Sequence, residues 1–241
     1  MMRILLLGGI GESLQLAHRL AHRHELTYSL AGRVRPKAVL PCKVRVGAFD
    51  GVEKLQTLLC RNGIELLLDI THPYAAQISR EAVLAAKQAG IPVWAYRRPP
   101  WQPEAGDRWW PFQDWSELRI ALAAFRRPLF TIGLEPLQHS HEIPPDQHWL
   151  VRCLEAQPEP SLRLTVLNAI GPFILEEELH LLRQWQVDVL VSKNSGGKAV
   201  AAKLQAARST GIPVLMWQRP DLPAADAEFA AIDTVAARLG C

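Results

Sequence analysis

The sequence predicts an α/β protein of two parallel-sheet domains. Three observations predict it: short apolar runs alternate with amphipathic helices, the first run ends in a glycine turn, and one helix–strand unit occurs twice. Strands joined through helical crossovers run parallel. Residues 2–7 (Met-Arg-Ile-Leu-Leu-Leu) read as a buried strand, with Gly8-Gly9-Ile10-Gly11-Glu12 as the turn that follows. A helix is expected from about Ser13, its apolar face formed by Leu14, Leu16, Ala17, Leu20 and Ala21. A second strand is expected over residues 26–31, ending in Gly32-Arg33, and a short third over 44–46. A helix over 52–61 leads into the apolar run 64–69, which closes on Asp69. Pro73 disfavours a helical conformation at His72, so Thr71-His72-Pro73 is a loop. A helix over about 75–89 and a strand over 92–96 complete the first half.

The second half repeats this ending. Residues 81–99 and 202–220 share one grammar: a helix, a glycine cap at Gly90 or Gly211, Ile-Pro-Val opening a strand, and a stop at Arg98-Pro99 or Arg219-Pro220. Upstream of each lies a strand with a polar end, Asp69-Ile70-Thr71-His72 in one and Ser192-Lys193-Asn194-Ser195-Gly196 in the other. The glycine turn alone is generic, but the match over the whole unit points to two related domains of Rossmann-like or flavodoxin-like type. The expected division is an N-terminal dinucleotide-binding domain over 1–98, a Pro/Trp-rich linker over 99–114 and a C-terminal α/β domain over 115–241. Ligands of open α/β sheets sit at the carboxyl ends of strands. Two such domains facing each other make an interdomain cleft, which is the expected active site.

Composition narrows the function classes. The 241 residues are 49% hydrophobic and 21% charged, an ordinary globular balance. No apolar run approaches the roughly 18 residues of a membrane span, and the early run is too short for a secretory segment. The four cysteines are scattered without a CxxC pair, which suggests neither a zinc site nor a disulfide framework and fits a reducing cytoplasm. A net charge of +3 is too small to argue for nucleic acid.

The glycine turn departs from GxGxxG, because Leu14 stands where the last glycine would be. It still lets backbone N–H groups approach a phosphate at the helix N-terminus, although a purely structural turn reads the same way. After the second strand come Arg33, Arg35 and Lys37 rather than an acid, which suits the 2′-phosphate of NADPH or a solvated basic loop. Asp69, Thr71 and His72 sit at a strand end, where they meet a ligand or simply cap and brace the loop. Lys193, Asn194, Ser195, Gly196 and Gly197 offer an anion cradle in the matching loop. Gly196-Gly197-Lys198 is no Walker loop, since Ala199 replaces the magnesium-binding hydroxyl. Tyr28, Tyr74 and Tyr96 lack a lysine four residues on, and no GxSxG is present. His139 and His141 form a pair without a third ligand, so no metal site is expected. Trp101, Trp109, Trp110 and Trp115 either cover a flat macrocycle or pack the linker.

Several segments together resemble the precorrin-6A reductase family of cobalamin biosynthesis. They are the Gly8-Gly9-x-x-Glu12 turn, Ala31-Gly32-Arg33, the stretch from Asp69-Ile70-Thr71-His72-Pro73-Tyr74-Ala75 to Ser79, Arg98-Pro99-x-Trp101 and Gly106-Asp107-Arg108-Trp109. Thr131-Ile132-Gly133, Gly171-Pro172-Phe173, Ser192-Lys193-Asn194-Ser195-Gly196-Gly197, Lys203 and Arg219-Pro220 extend the likeness along nearly the whole chain. Ile10 departs from the family, removing a hydroxyl from the phosphate loop, and Gln15 stands where some members carry a basic residue.

The resemblance implies two Rossmann-like domains and hydride transfer from NADPH to precorrin-6A, giving precorrin-6B, with no metal or flavin. Residues 31–33 and 106–109 look more like the aerobic, metal-free branch than the NADH-linked cobalt-precorrin-6A reductases. A non-catalytic nucleotide or metabolite sensor is the rival from another class. On this reading Gly8, Gly9, Gly11, Glu12, Ser13, Arg33, Asp69 and Thr71 hold the cofactor. Thr71, His72, Lys193, Ser195 and Glu155 serve the reacting centre, and Arg97, Arg98, Arg152, Lys203 and Arg219 are candidate anchors for substrate carboxylates.

Overall fold

The computed structural model describes residues 1–30, 39–154, 156 and 161–241. Arg33, Arg35, Lys37 and Glu155 lie outside the described residues.

The chain forms two compact units, one of Met1–Pro99 with Pro220–Cys241, the other of Pro100–Arg219. The first is built on strands β1 (Arg3–Leu7), β2 (Glu25–Leu30), β3 (Lys43–Val46), β4 (Leu66–Asp69) and β5 (Val93–Tyr96). Helices α1 (Gly11–Leu20), α2 (Val52–Arg61) and α3 (Ala76–Ala89) connect them. The second unit contains β6 (Trp109–Phe112), α4 (Trp115–Leu122), β7 (Pro128–Thr131), α5 (Glu135–Gln138), β8 (Trp149–Cys153) and β9 (Leu164–Asn168). It continues with α6 (Leu175–Gln184), β10 (Val189–Lys193), α7 (Ala202–Thr210) and β11 (Val214–Trp217); β12 (Ala227–Phe229) and α8 (Ile232–Arg238) end the chain.

Both sheets are six-stranded and parallel throughout, in the orders β12-β5-β4-β1-β2-β3 and β6-β11-β10-β7-β8-β9. Inside the edge strand the two orders are the same once β7 is taken as the counterpart of β1. Only the edge strand is exchanged: β6 follows β5 in the chain but pairs with β11, and β12 follows β11 but pairs with β5. This corrects the expected domain limits. Part of the segment 99–114 is a strand of the second sheet rather than a linker, and residues 220–241 complete the first unit rather than the second.

The central strands are buried on both faces, which is why they read as continuous apolar runs. In β1 the pleat sends Ile4 and Leu6 into a core with Leu16 and Leu20 of α1 and Val235 of α8. Leu5 and Leu7 go to the opposite core, with Leu55 and Leu59 of α2 and Ala82, Ala85 and Ala86 of α3. The second sheet divides likewise, Phe130 and Val191 facing Leu118 of α4, and Leu129 and Leu190 facing Leu182 of α6 and Leu204 of α7. The repeated caps take one conformation: Gly90 and Gly211 are left-handed at φ 69° and 68°, and Ile91 and Ile212 donate back to the carbonyls of Ala86 and Ala207. No helix among the described residues is long and apolar enough to cross a membrane.

Candidate functional site

In an open parallel sheet, the place where strand order reverses leaves adjacent strand ends without a shared crossover, and ligands bind there. The first unit reverses between β1 and β4, the second between β7 and β10.

At the β1 end, Gly8 donates to the Ser29 carbonyl, and a Cβ on Gly8 would lie 2.3 Å from the Tyr28 ring, so the side chain is excluded by packing. Gly9 has φ +132°, a conformation that glycine adopts without cost. A Cβ on Gly9 or Gly11 would meet nothing within 4 Å, so the space over the turn is open. Helix α1 begins at Gly11, two residues before the expected start, because the buried Ser13 hydroxyl takes over the capping that Ile10 cannot perform. Ser13 Oγ accepts from the N–H groups of Gly9 and Ile10 (3.2 and 3.3 Å), donates to the Ile10 carbonyl (2.6 Å) and lies 2.7 Å from the Tyr28 hydroxyl. Burial pushes the Tyr28 phenol up from its ordinary value, so it holds its proton in this bond. Ser13 is thus a brace beneath the turn. Ser13 N–H donates to the Ile10 carbonyl at 3.1 Å, whereas the N–H groups of Gly11 and Glu12 have no intrahelical acceptor, as at every helix start.

Asp69, expected to meet the ligand, is instead a buried hub. Its Oδ1 accepts from the Thr71 N–H (3.2 Å) and hydroxyl (2.6 Å), and its Oδ2 from Ser79 Oγ (2.7 Å) and Arg97 Nη1 (2.8 Å). Its four acceptor positions are filled, and Thr71 Oγ1 is committed to the same hub. Sequence reasoning missed Ser79 and the Arg97 ion pair, although both lie in segments already singled out. Beside the hub, His72 Nδ1 accepts from the Tyr74 N–H at 3.2 Å, which leaves the proton of the neutral imidazole on Nε2. Glu12, expected at the cofactor, pairs with Arg98 at 2.7 Å, with side chains 23% and 11% exposed.

The second unit gathers cations. Lys203 Nζ donates to Thr131 Oγ1 (2.8 Å), and Thr131 donates to the Val191 carbonyl (2.9 Å). Burial beside Arg152 brings the Lys203 ammonium down to about 7, so it exchanges its proton near neutrality. Arg152 is itself buried, paired with Glu178 at 2.5 Å and stacked 4.1 Å over the Phe173 ring. Glu178 was missed because a lone acid within Glu-Glu-Glu at a helix start gives no sign of burial. Lys193 Nζ lies 5.1 Å over the Trp217 ring, and burial lowers its ammonium, opposed by Glu135. Asn194 clasps the backbone of Trp101, its Oδ1 accepting at 2.7 Å and its Nδ2 donating at 3.1 Å. Ser195 is buried next to it.

The four tryptophans divide. Trp101 and Trp109 line a cavity with Trp217, whereas Trp110 packs on Phe125 and Trp115 stacks on His139 and Phe130.

Known proteins resemble this chain along nearly its whole length. The family model described as "Precorrin-6x reductase CbiJ/CobK" matches residues 3–240. A precorrin-6A reductase of Rhodobacter capsulatus is 39% identical over 94% of this chain and 91% of its own length. One from Sinorhizobium sp is 42% identical over 90% of this chain and 85% of its own. The solved structure "CobK precorrin-6A reductase" superposes with a TM-score of 0.89 at 37% identity, covering 100% of this chain and 96% of that one.

Proposed function

The chain belongs to the precorrin-6x reductase (CbiJ/CobK) family, and from that premise we propose that it reduces precorrin-6A to precorrin-6B with NADPH as hydride donor in cobalamin biosynthesis. The observation that carries the reading is the open glycine turn at the β1/β4 reversal, in a chain alike end to end with precorrin-6A reductases. A reduced nicotinamide supplies the hydride; the protein positions the partners and answers the charge that develops.

Each residue then has a task. Backbone N–H groups of Gly11 and Glu12 receive the pyrophosphate, with Gly9 allowing close approach and Ser13 holding the turn rigid. Arg33 receives the 2′-phosphate, which is the ground for NADPH over NADH. Asp69 and Thr71 act as positioning residues that fix the loop carrying His72. His72 directs a hydrogen-bond donor at the reacting ring. Lys193 and Lys203 counter the negative charge that hydride addition leaves on the macrocycle, Ser195 serves the same centre, and Glu155 supports the cationic character of the ring or relays a proton. The metal-free substrate of the aerobic branch is favoured by residues 31–33 and 106–109, and cysteines outside any disulfide (Cys42, Cys60, Cys153 and Cys241) suit a cytoplasmic reaction.

The test is turnover by the purified protein with metal-free precorrin-6A, followed as loss of reduced-nicotinamide absorbance. Fast oxidation of NADPH and slow oxidation of NADH are expected, and Arg33→Ala should raise the KM for NADPH about 10- to 100-fold while sparing that for NADH. Equal effects on both nucleotides would remove Arg33 from the 2′-phosphate. Binding of NADPH without turnover would favour a sensor instead.

A further inference from the structure

Within the second unit lies a cavity of ≈ 480 Å³ whose apolar walls include Trp101, Trp109, Trp217 and Met216, with Arg219, Asn194, Gln102 and Gln218 as polar lining. That volume falls in the range of small-molecule sites, roughly 300–1,000 Å³, but is too small to enclose a tetrapyrrole with all its acid arms. Two of its walls are fixed before any ligand arrives. Trp101 is held by both hydrogen bonds of Asn194, and Trp217 by the bond from its Nε1 to the Gln113 carbonyl (2.8 Å) and by stacking on Phe112 at 5.9 Å.

The polar groups point to an anion. Among the described residues no acid lines the cavity, and Arg219, anchored by its Nε to the Asn194 carbonyl at 2.7 Å, brings a guanidinium to it. Trp109 Nε1 is buried with no hydrogen-bond partner among the described residues. Buried donors are almost always satisfied, so an unpaired one beside a cavity calls for an acceptor from outside. The neighbouring cavity of ≈ 510 Å³ shares Trp101 and Trp109 but carries an acid in its wall, Glu104, paired with Arg208 at 2.7 Å.

We propose that the tryptophan cavity is a substrate subsite that receives one acid-bearing pyrrole-type edge of the tetrapyrrole. The flat ring lies against the indoles, and its carboxylate accepts from Arg219 and from Trp109 Nε1. The assignment rests on the reductase reading for its ligand and on the cavity alone for its place.

Trp109→Phe keeps an aromatic wall but removes the indole N–H together with the ring that carries it. The KM for precorrin-6A should rise about 5- to 10-fold, and the KM for NADPH should stay within about twofold. Arg219→Gln should raise the tetrapyrrole KM about 10-fold or more, again sparing NADPH. Unchanged tetrapyrrole KM in both variants, or a rise in the NADPH KM instead, would overturn the assignment. A wild-type protein without turnover would sink the reductase reading alone. The cavity is then judged with uroporphyrin, a porphyrin octacarboxylate, which should quench the tryptophan fluorescence of the wild type far more than that of Arg219→Gln; equal quenching would overturn the site.

Discussion

At the β1/β4 reversal the residue opposite Leu7 is Asp69; at the β7/β10 reversal the residue opposite Thr131 is Ser192. The frames match beyond that register. Gly9 and Gly133 both follow the first strand with positive φ, at 132° and 89°. Between them and the strand, however, stand Gly8 in one unit and the buried Ile132 in the other. The first reversal centres on a carboxylate saturated by Thr71, Ser79 and Arg97, and keeps its turn free of side chains. The second centres on Arg152, Lys193 and Lys203, with Glu178 ion-paired to Arg152. One topology has thus been furnished with two chemistries: an open backbone turn suited to a phosphate, and a cationic strand end suited to carboxylates. Topology sets where a ligand sits; side chains set which ligand.

The sharpest way to break this comparison is to remove the hub. Asp69→Ala strips the partner from Arg97, whose side chain is 19% exposed, and leaves two hydroxyls without their acceptor. A loss of about 3–5 kcal/mol in urea unfolding is expected. Ser192→Ala at the equivalent register position removes one bond to the Lys193 carbonyl and should cost only about 1 kcal/mol. Similar losses at both positions would show that the first reversal has no special dependence on its carboxylate.

Gly8→Ala tests the bare turn. Its Cβ would meet the Tyr28 ring at 2.3 Å, so the turn or the ring must shift, at about 1–3 kcal/mol and with a raised KM for the nucleotide. Ile132→Ala, at the matching place in the second unit, should leave the nucleotide KM unchanged.

The effect spread over the widest range of conditions is a slope. Lys203 titrates near 7 in the folded protein against an ordinary 10.5, so between those values the unfolded chain binds the extra proton. Stability should therefore rise with pH across that window, by at most roughly 1.4 kcal/mol per pH unit from this group. Lys203→Met should flatten that part of the profile in denaturation experiments at several pH values. An unaltered slope would show that Lys203 is not the group responsible.

Much of the frame was legible because it is local. Gly90-Ile91-Pro92-Val93 and Gly211-Ile212-Pro213-Val214 name a left-handed cap followed by a strand, and each half's apolar runs fit strands buried on both faces. The exchange of β6 and β12 was not legible. Edge strands of four and three residues carry no distinctive pattern, and which sheet they join depends on pairing remote in sequence. The site divided in the same way. The loops were found because polar residues at strand ends stand out, whereas the roles of Asp69, Ser13 and Glu12 within them were not, since a carboxylate or hydroxyl reads the same whether it faces a ligand or its own loop.

By itself, then, the sequence determined the alternation of strands and helices, the paired halves, the glycine turn and the family likeness, all of which reside in spacing along the chain. Tertiary structure alone decided which sheet the edge strands complete, which polar side chains spend their hydrogen bonds inside the protein, and which tryptophans line a cavity. Those outcomes depend on distances between residues far apart in sequence, such as the 93 positions between Trp101 and Asn194, and no local pattern encodes them.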